Sequence, residues 1–157
     1  MLTRTLTVEP NKSFFLFGPR GTGKSTWIRS QLQPALILDL LEAETWQRLL
    51  ARPGDLEQLV LAAPPGPIVI DEVQRAPELL NEVHRLIENR GTVFALTGSS
   101  ARKLRRNGVN LLAGRALTYR MYPLTAEELG DQFDLQKSLQ FGHLPAIGSE
   151  PDPAKFL

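Results

Sequence analysis

Gly18-Pro19-Arg20-Gly21-Thr22-Gly23-Lys24-Ser25-Thr26 follows the apolar run Phe14-Phe15-Leu16-Phe17 and opens a helical stretch, Lys24 to Gln33, that stops at Pro34. A short, continuous run of bulky apolar residues describes a strand buried on both faces. The segment after it fits G-x-x-x-x-G-K-[ST] without a mismatch, and in the strand-to-helix setting that the pattern requires. Gly18, Gly21 and Gly23 free the backbone to turn N–H groups inward around an anion. The next helix starts at the same place, so the positive end of its dipole faces that anion too. Lys24 is then expected on the β- and γ-phosphates of a nucleoside triphosphate, the Ser25 hydroxyl on magnesium, and Thr26 on the α-phosphate. Pro19, Arg20 and Thr22 complete the loop, with the Arg20 side chain directed to solvent. An ordinary glycine-rich turn is the competing explanation, and the setting weighs against it.

Further along, Pro67-Ile68-Val69-Ile70-Asp71-Glu72 is an apolar strand ending in two carboxylates. The C-terminal ends of parallel strands are where open α/β sheets bind ligands. Asp71 there is expected to hold magnesium, and Glu72 to polarise an attacking water. By itself an Asp-Glu pair also suits a helix start, and Pro77 signals a helix nearby; the phosphate loop in the same domain favours the functional reading.

The rest of the chain alternates. Ala35 to Leu40 reads as a second buried strand. Asp39, with Glu42 three residues on, reads as a capping box opening a helix through about Ala51. Arg52-Pro53-Gly54 breaks that helix and Asp55 to Ala63 forms another. Past the acidic strand, Pro77 falls in the first turn of a helix whose Leu79, Leu80, Val83, Leu86 and Ile87 share one face. Gly91 ends it. Thr92 to Thr97 is a fourth strand, Arg102 to Leu112 part loop and part helix, and Ala116 to Met121 a fifth strand. Such alternation implies an α/β fold with parallel pairing and helices on both sheet faces. Thr125 with Glu128 is a further capping box, after which the chain turns polar and Pro-rich and stops on Phe156-Leu157. The expected organisation is residues 1–124 as a nucleotide-binding domain and 125–157 as the start of a second domain that has been cut off.

These residues resemble an AAA+-type P-loop ATPase. The resemblance is narrower to a group of bacterial and archaeal ATPases whose N-terminal AAA domain precedes a C-terminal domain of unknown function. The segments that carry it are the phosphate loop, Ile68 to Gln74, Leu96-Thr97-Gly98-Ser99-Ser100, Leu112-Ala113-Gly114-Arg115 and Tyr122-Pro123-Leu124. The resemblance implies a P-loop NTPase of three α/β/α layers around a mostly parallel five-stranded sheet, with spatial order 5-1-4-3-2. It puts Ser99 or Ser100 at a sensor position, orienting water or the γ-phosphate, although Gly-Ser-Ser is also common turn chemistry. It marks Arg115 as catalytic or sensing, in cis or toward a neighbouring subunit, against a plain internal salt bridge. Homo-oligomerisation through AAA+-type contacts is a further implication.

Composition narrows the partners. A formal net charge of +1 over 157 residues asks for neither nucleic acid nor an anionic membrane, and no cysteine is present for disulfides or thiolate metal sites. No apolar run approaches the ~20 residues that span a bilayer, so a cytoplasmic protein is expected. Arg102, Lys103, Arg105 and Arg106 form a basic cluster without an interleaved aromatic, read as a solvated loop ahead of a subunit or phosphate contact. His84 and His143 lack ligand spacing; Trp27 and Trp46 read as packing residues. The expected cofactors are ATP and Mg2+. The leading function is an ATPase that drives a conformational change in an attached domain or partner. The alternative is a nucleotide-gated interaction module with little hydrolysis of its own. A small-molecule kinase ranks lower, because Glu72 directly after Asp71 favours water as acceptor.

Overall fold

The computed structural model describes residues 3–106 and 112–148; Lys103 and Arg106 are described in backbone only. The Pro-rich end with Pro151, Pro153 and Phe156-Leu157 lies outside the described residues. Five strands form one sheet: β1 (Phe14–Phe17), β2 (Leu36–Asp39), β3 (Ile68–Asp71), β4 (Phe94–Gly98) and β5 (Leu117–Arg120). Every pairing is parallel and the order is β2-β3-β4-β1-β5, the implied order read from the opposite edge.

Alternate residues of each strand go to opposite faces. Phe15, Phe17, Ile68, Ile70, Phe94 and Leu96 pack on one side against Leu49 of α2 (Ala43–Ala51), Leu56 of α3 (Asp55–Ala62) and Leu79, Val83 and Leu86 of α4 (Leu79–Arg90). Phe14, Leu16, Val69 and Ala95 pack on the other side against Trp27 and Ile28 of α1 (Lys24–Gln31). Sheet residues between two helical layers have no polar face to show, which is why β1, β3 and β4 read as unbroken apolar runs. Short helices follow: α5 (Ala101–Arg106), α6 (Ala126–Leu129), α7 (Leu135–Phe141) and α8 (Pro145–Gly148).

Two local expectations need correction. Asp39 does not cap α2: it is the last residue of β2, its Oδ1 accepts the Leu41 N–H at 2.8 Å, and Glu42 occupies the cap position without a side-chain bond. The carboxylate closes the turn leaving the strand, the other local use of an Asp. The first helix stops at Gln31 and Gln33 turns to φ 44°, two residues before the break that Pro34 suggests. The Thr125–Glu128 capping box forms in full, with both reciprocal bonds.

Candidate functional site

β1 ends in the core and delivers the chain to the C-terminal edge of the sheet, where Gly18 donates its N–H to the Gly98 carbonyl of β4 at 3.2 Å. A side chain at Gly18 has no room, because a Cβ would lie 2.2 Å from the Met121 carbonyl oxygen beyond β5. The loop turns through Gly23, whose φ of 86° caps α1. The first turn of α1 then leaves the N–H groups of Lys24 and Ser25 without intrahelical acceptors. Lys24 is buried, and its ammonium donates to the carbonyls of Gly18 at 2.7 Å and Pro19 at 3.0 Å. Burial pushes that ammonium down from its ordinary value; nearby Glu72 and Asp71 oppose the shift and Arg20 adds to it. The charges therefore converge on this loop: one lysine, two carboxylates and an exposed guanidinium.

The acidic strand meets this loop through hydroxyls. Asp71 ends β3, and the Ser25 hydroxyl in the first turn of α1 donates to its Oδ2 at 2.7 Å. The Thr97 hydroxyl of β4, fully buried, donates to Oδ1 and accepts the Glu72 N–H at 3.1 Å. Glu72 leaves the strand with φ 58° and is itself buried. Its carboxylate accepts from the Gln74 amide, which also reaches Ser99 Oγ at 3.4 Å. Ser100 instead accepts the Arg102 N–H at 3.2 Å, opening α5. Loop, β3 and β4 are thus joined by one chain of polar contacts from Ser25 to Ser99.

Residues 10–130 match the family described as AAA domain, most of the chain. The chain belongs to the AAA domain family. The fold is shared with the ADP form of the ORC2 protein of Aeropyrum pernix, at 15% identity and a TM-score of 0.50, over 82% of this chain and 46% of that one. The chain spans under half the length of that solved structure. No curated protein matches it in sequence. It is an AAA+-type ATP-binding module, and no helix among its described residues is long and apolar enough to cross a membrane.

Other parts of the chain close on the loop. A cavity of about 290 Å³ lies beside it, walled by Thr22, Gly23, Thr26, Trp27, Arg4 and Pro145 among others. The stretch after Leu124 folds back over the loop: Leu144 and Pro145 come within 3.9 Å of the positions a Cβ would take at Gly21 and Gly23. A part-buried ion pair, Arg4 to Glu128 at 2.8 Å, holds this arrangement. Arg4 also donates to the carbonyls of Thr22, at 3.3 Å, and Tyr122. Glu128 accepts the N–H groups of Thr5 and Thr125 at 2.9 and 3.0 Å. Burial pushes the Glu128 carboxyl up, but those two amides and Arg4 outweigh it and hold it below its ordinary value.

Arg115 lies elsewhere: it pairs with Glu88 of α4 and donates to the Ala113 carbonyl at 3.3 Å. Among the described residues, none of its hydrogen bonds involves the loop, Asp71 or Glu72. Of the basic cluster, Arg102 and Arg105 join Arg120 and the exposed Tyr122 around a second cavity of about 420 Å³ bordered by Gly18, Pro19 and Ser99. His143 Nδ1 donates to the Leu124 carbonyl at 2.8 Å, a turn contact. Sequence reasoning missed Arg4, Thr97 as the link between both carboxylates, and Gln74. Thr97 and Gln74 stood inside motif segments; nothing local signals Arg4.

Proposed function

We propose that this domain binds Mg-ATP and hydrolyses it, using turnover to move an attached domain or partner. The observation that carries this reading is the polar chain Ser25–Asp71–Thr97–Glu72, which ties the phosphate loop to the carboxylates at the strand end. The triphosphate lies on residues 18–26, where the Lys24 ammonium exchanges the Gly18 and Pro19 carbonyls for phosphate oxygens. The base enters the cavity beside Thr26 and Trp27, under the segment with Leu144 and Pro145, which serves as a small lid. The Ser25 hydroxyl and Asp71 carboxylate, 2.7 Å apart, make an all-oxygen pair suited to magnesium, which takes one or two protein oxygens and completes its shell with water and phosphates. Bound there, the ion supplies charge neutralisation of the β- and γ-oxygens.

Glu72 takes the proton of the attacking water. As the water oxygen bonds to the γ-phosphorus, the bridging P–O bond breaks and ADP leaves with its electron pair. Burial of Glu72 beside Lys24 suits a base that must act on one water only. The nucleotide-gated module is favoured by one observation, the engagement of Arg115 with Glu88, which leaves that guanidinium on α4. An arginine supplied by a neighbouring copy can be worth about 10³ to 10⁵ in rate.

The test is Mg-ATP binding and turnover by the wild type beside Lys24→Ala and Glu72→Gln. Loss of binding in Lys24→Ala, with binding but no hydrolysis in Glu72→Gln, supports the ATPase. A wild type that binds ATP but turns over no faster than Glu72→Gln supports the gated module instead.

A further inference from the structure

Gln74 follows the acidic strand in the short 3-10 turn Val73–Arg75 and has no part in the hydrolytic scheme so far. Its side-chain nitrogen donates to Glu72 Oε2 and contacts Ser99 Oγ at 3.4 Å. The opposite amide orientation would set a carbonyl oxygen against a carboxylate, so the donor side is fixed by chemistry. That nitrogen lies against both the candidate base and, at the longer distance, the candidate sensor. The other end of the amide, Oε1, is buried with no hydrogen-bond partner. Burying an unpaired carbonyl is unfavourable, and a leucine of similar size would avoid it. The position therefore carries a cost that only its donor end explains.

Gly98 supports the same conclusion from the opposite strand. Its backbone needs no special freedom, yet a Cβ there would lie 2.6 Å from Gln74 Oε1. The missing side chain makes the space in which the amide stands.

We infer that Gln74 is a positioning residue for hydrolysis, whose amide holds the Glu72 carboxylate and the Ser99 hydroxyl in one arrangement. This rests on the hydrolytic reading of Glu72. With Oε2 held by the amide, the second carboxylate oxygen is left for water, and Ser99 is kept at a set distance from it on the phosphate side. Gln74 touches neither water nor phosphate; it acts through the two residues that do.

The experiment is single-turnover hydrolysis with the chain in excess over Mg-ATP, alongside ATP affinity by calorimetry and thermal melting. Wild type, Glu72→Gln, Gln74→Leu, Gln74→Glu, Ser99→Ala and the Gln74→Leu/Ser99→Ala double variant are compared. Gln74→Leu is expected to slow the chemical step about 10- to 100-fold, the usual effect of removing a group that orients another. Its ATP affinity should stay within about twofold, which separates positioning from binding. Melting temperature checks that the variant is folded: the unpaired Oε1 is gone but the buried Glu72 carboxylate loses a donor, and the two changes oppose each other. Gln74→Glu should be slower still, because like charges then face each other. The double variant should be no slower than about the slower single, as for residues acting as a unit. If Glu72→Gln is inactive while Gln74→Leu hydrolyses within about threefold of wild type, the positioning role alone falls. It falls equally if the two single effects multiply, or if the rate loss tracks ATP affinity. If Glu72→Gln equals wild type, the hydrolytic reading falls and the positioning role with it.

Discussion

Replacing Thr97 by Val tests how far the site is held by one hydroxyl. The side chain is fully buried, and valine keeps its shape, so no cavity opens and the loss is polar. The hydroxyl donates to Asp71 Oδ1 and accepts the Glu72 N–H at 3.1 Å. A hydrogen bond to a carboxylate is worth about 1.5–3 kcal/mol, and a stranded buried N–H costs about 1–3 kcal/mol. Asp71 is only partly buried and keeps Ser25, so the lower end applies to the first; Glu72 is buried, so a middle value applies to the second. The sum is about 3.5 kcal/mol, a large share of the roughly 5–15 kcal/mol typical of a domain. Urea denaturation reads it directly: at a slope of about 2 kcal/mol per molar, the midpoint drops by about 1.75 M. Thr97→Ser keeps the hydroxyl and loses a methyl, costing about 1 kcal/mol. A valine cost below about 1 kcal/mol, or a serine variant weaker than the valine one, would refute the assignment of both hydrogen bonds.

Glu128 is held below its ordinary value of 4.5, so its stabilising contribution is complete above that pH and is lost as pH falls through its folded value. Unfolding free energy measured against pH should therefore converge for wild type and Glu128→Gln at low pH, and Arg4→Met should cost about 1.5 kcal/mol at pH 7, because the part-buried carboxylate loses the guanidinium but keeps the Thr5 and Thr125 amides. Gly98→Ala places a Cβ 2.6 Å from Gln74 Oε1 and 3.3 Å from the Phe17 ring, so it should slow hydrolysis about 10-fold while ATP affinity, measured by calorimetry, is kept.

What the sequence discloses follows how local each determinant is. β1, β3 and β4 announce themselves because burial on two faces leaves only apolar residues, and the phosphate loop because its conformation needs particular glycines. The Thr125–Glu128 cap is a contact within one turn, and it forms as the spacing suggests. Asp39 misleads because one short carboxylate serves a helix start or a turn equally well, and only the path of the chain after β2 decides. Arg4 is illegible for a different reason. Its partners Thr22, Tyr122 and Glu128 come from three separate parts of the chain, and no spacing near Arg4 refers to any of them. Arg115 stood between two readings on the sequence; its ion pair with Glu88 depends on how α4 lies beside the turn before β5.

The place of β1 in the sheet bears on how the chain is made. Phe14 pairs with Ala95 on one side and with Leu117 on the other, so β1, made before the other four strands of the sheet, has no strand neighbour until about eighty more residues have followed. At about 5–20 residues per second, that is roughly 4 to 16 s of synthesis during which three phenylalanines and a leucine, later among the most buried side chains, wait for the strand that will flank them. The nucleotide loop hangs on the end of that strand and borrows the Gly98 carbonyl of β4. Translation therefore completes this region from its far end: the loop residues precede β4 and β5 in synthesis, and the sheet edge that shapes the loop is whole only once those strands follow.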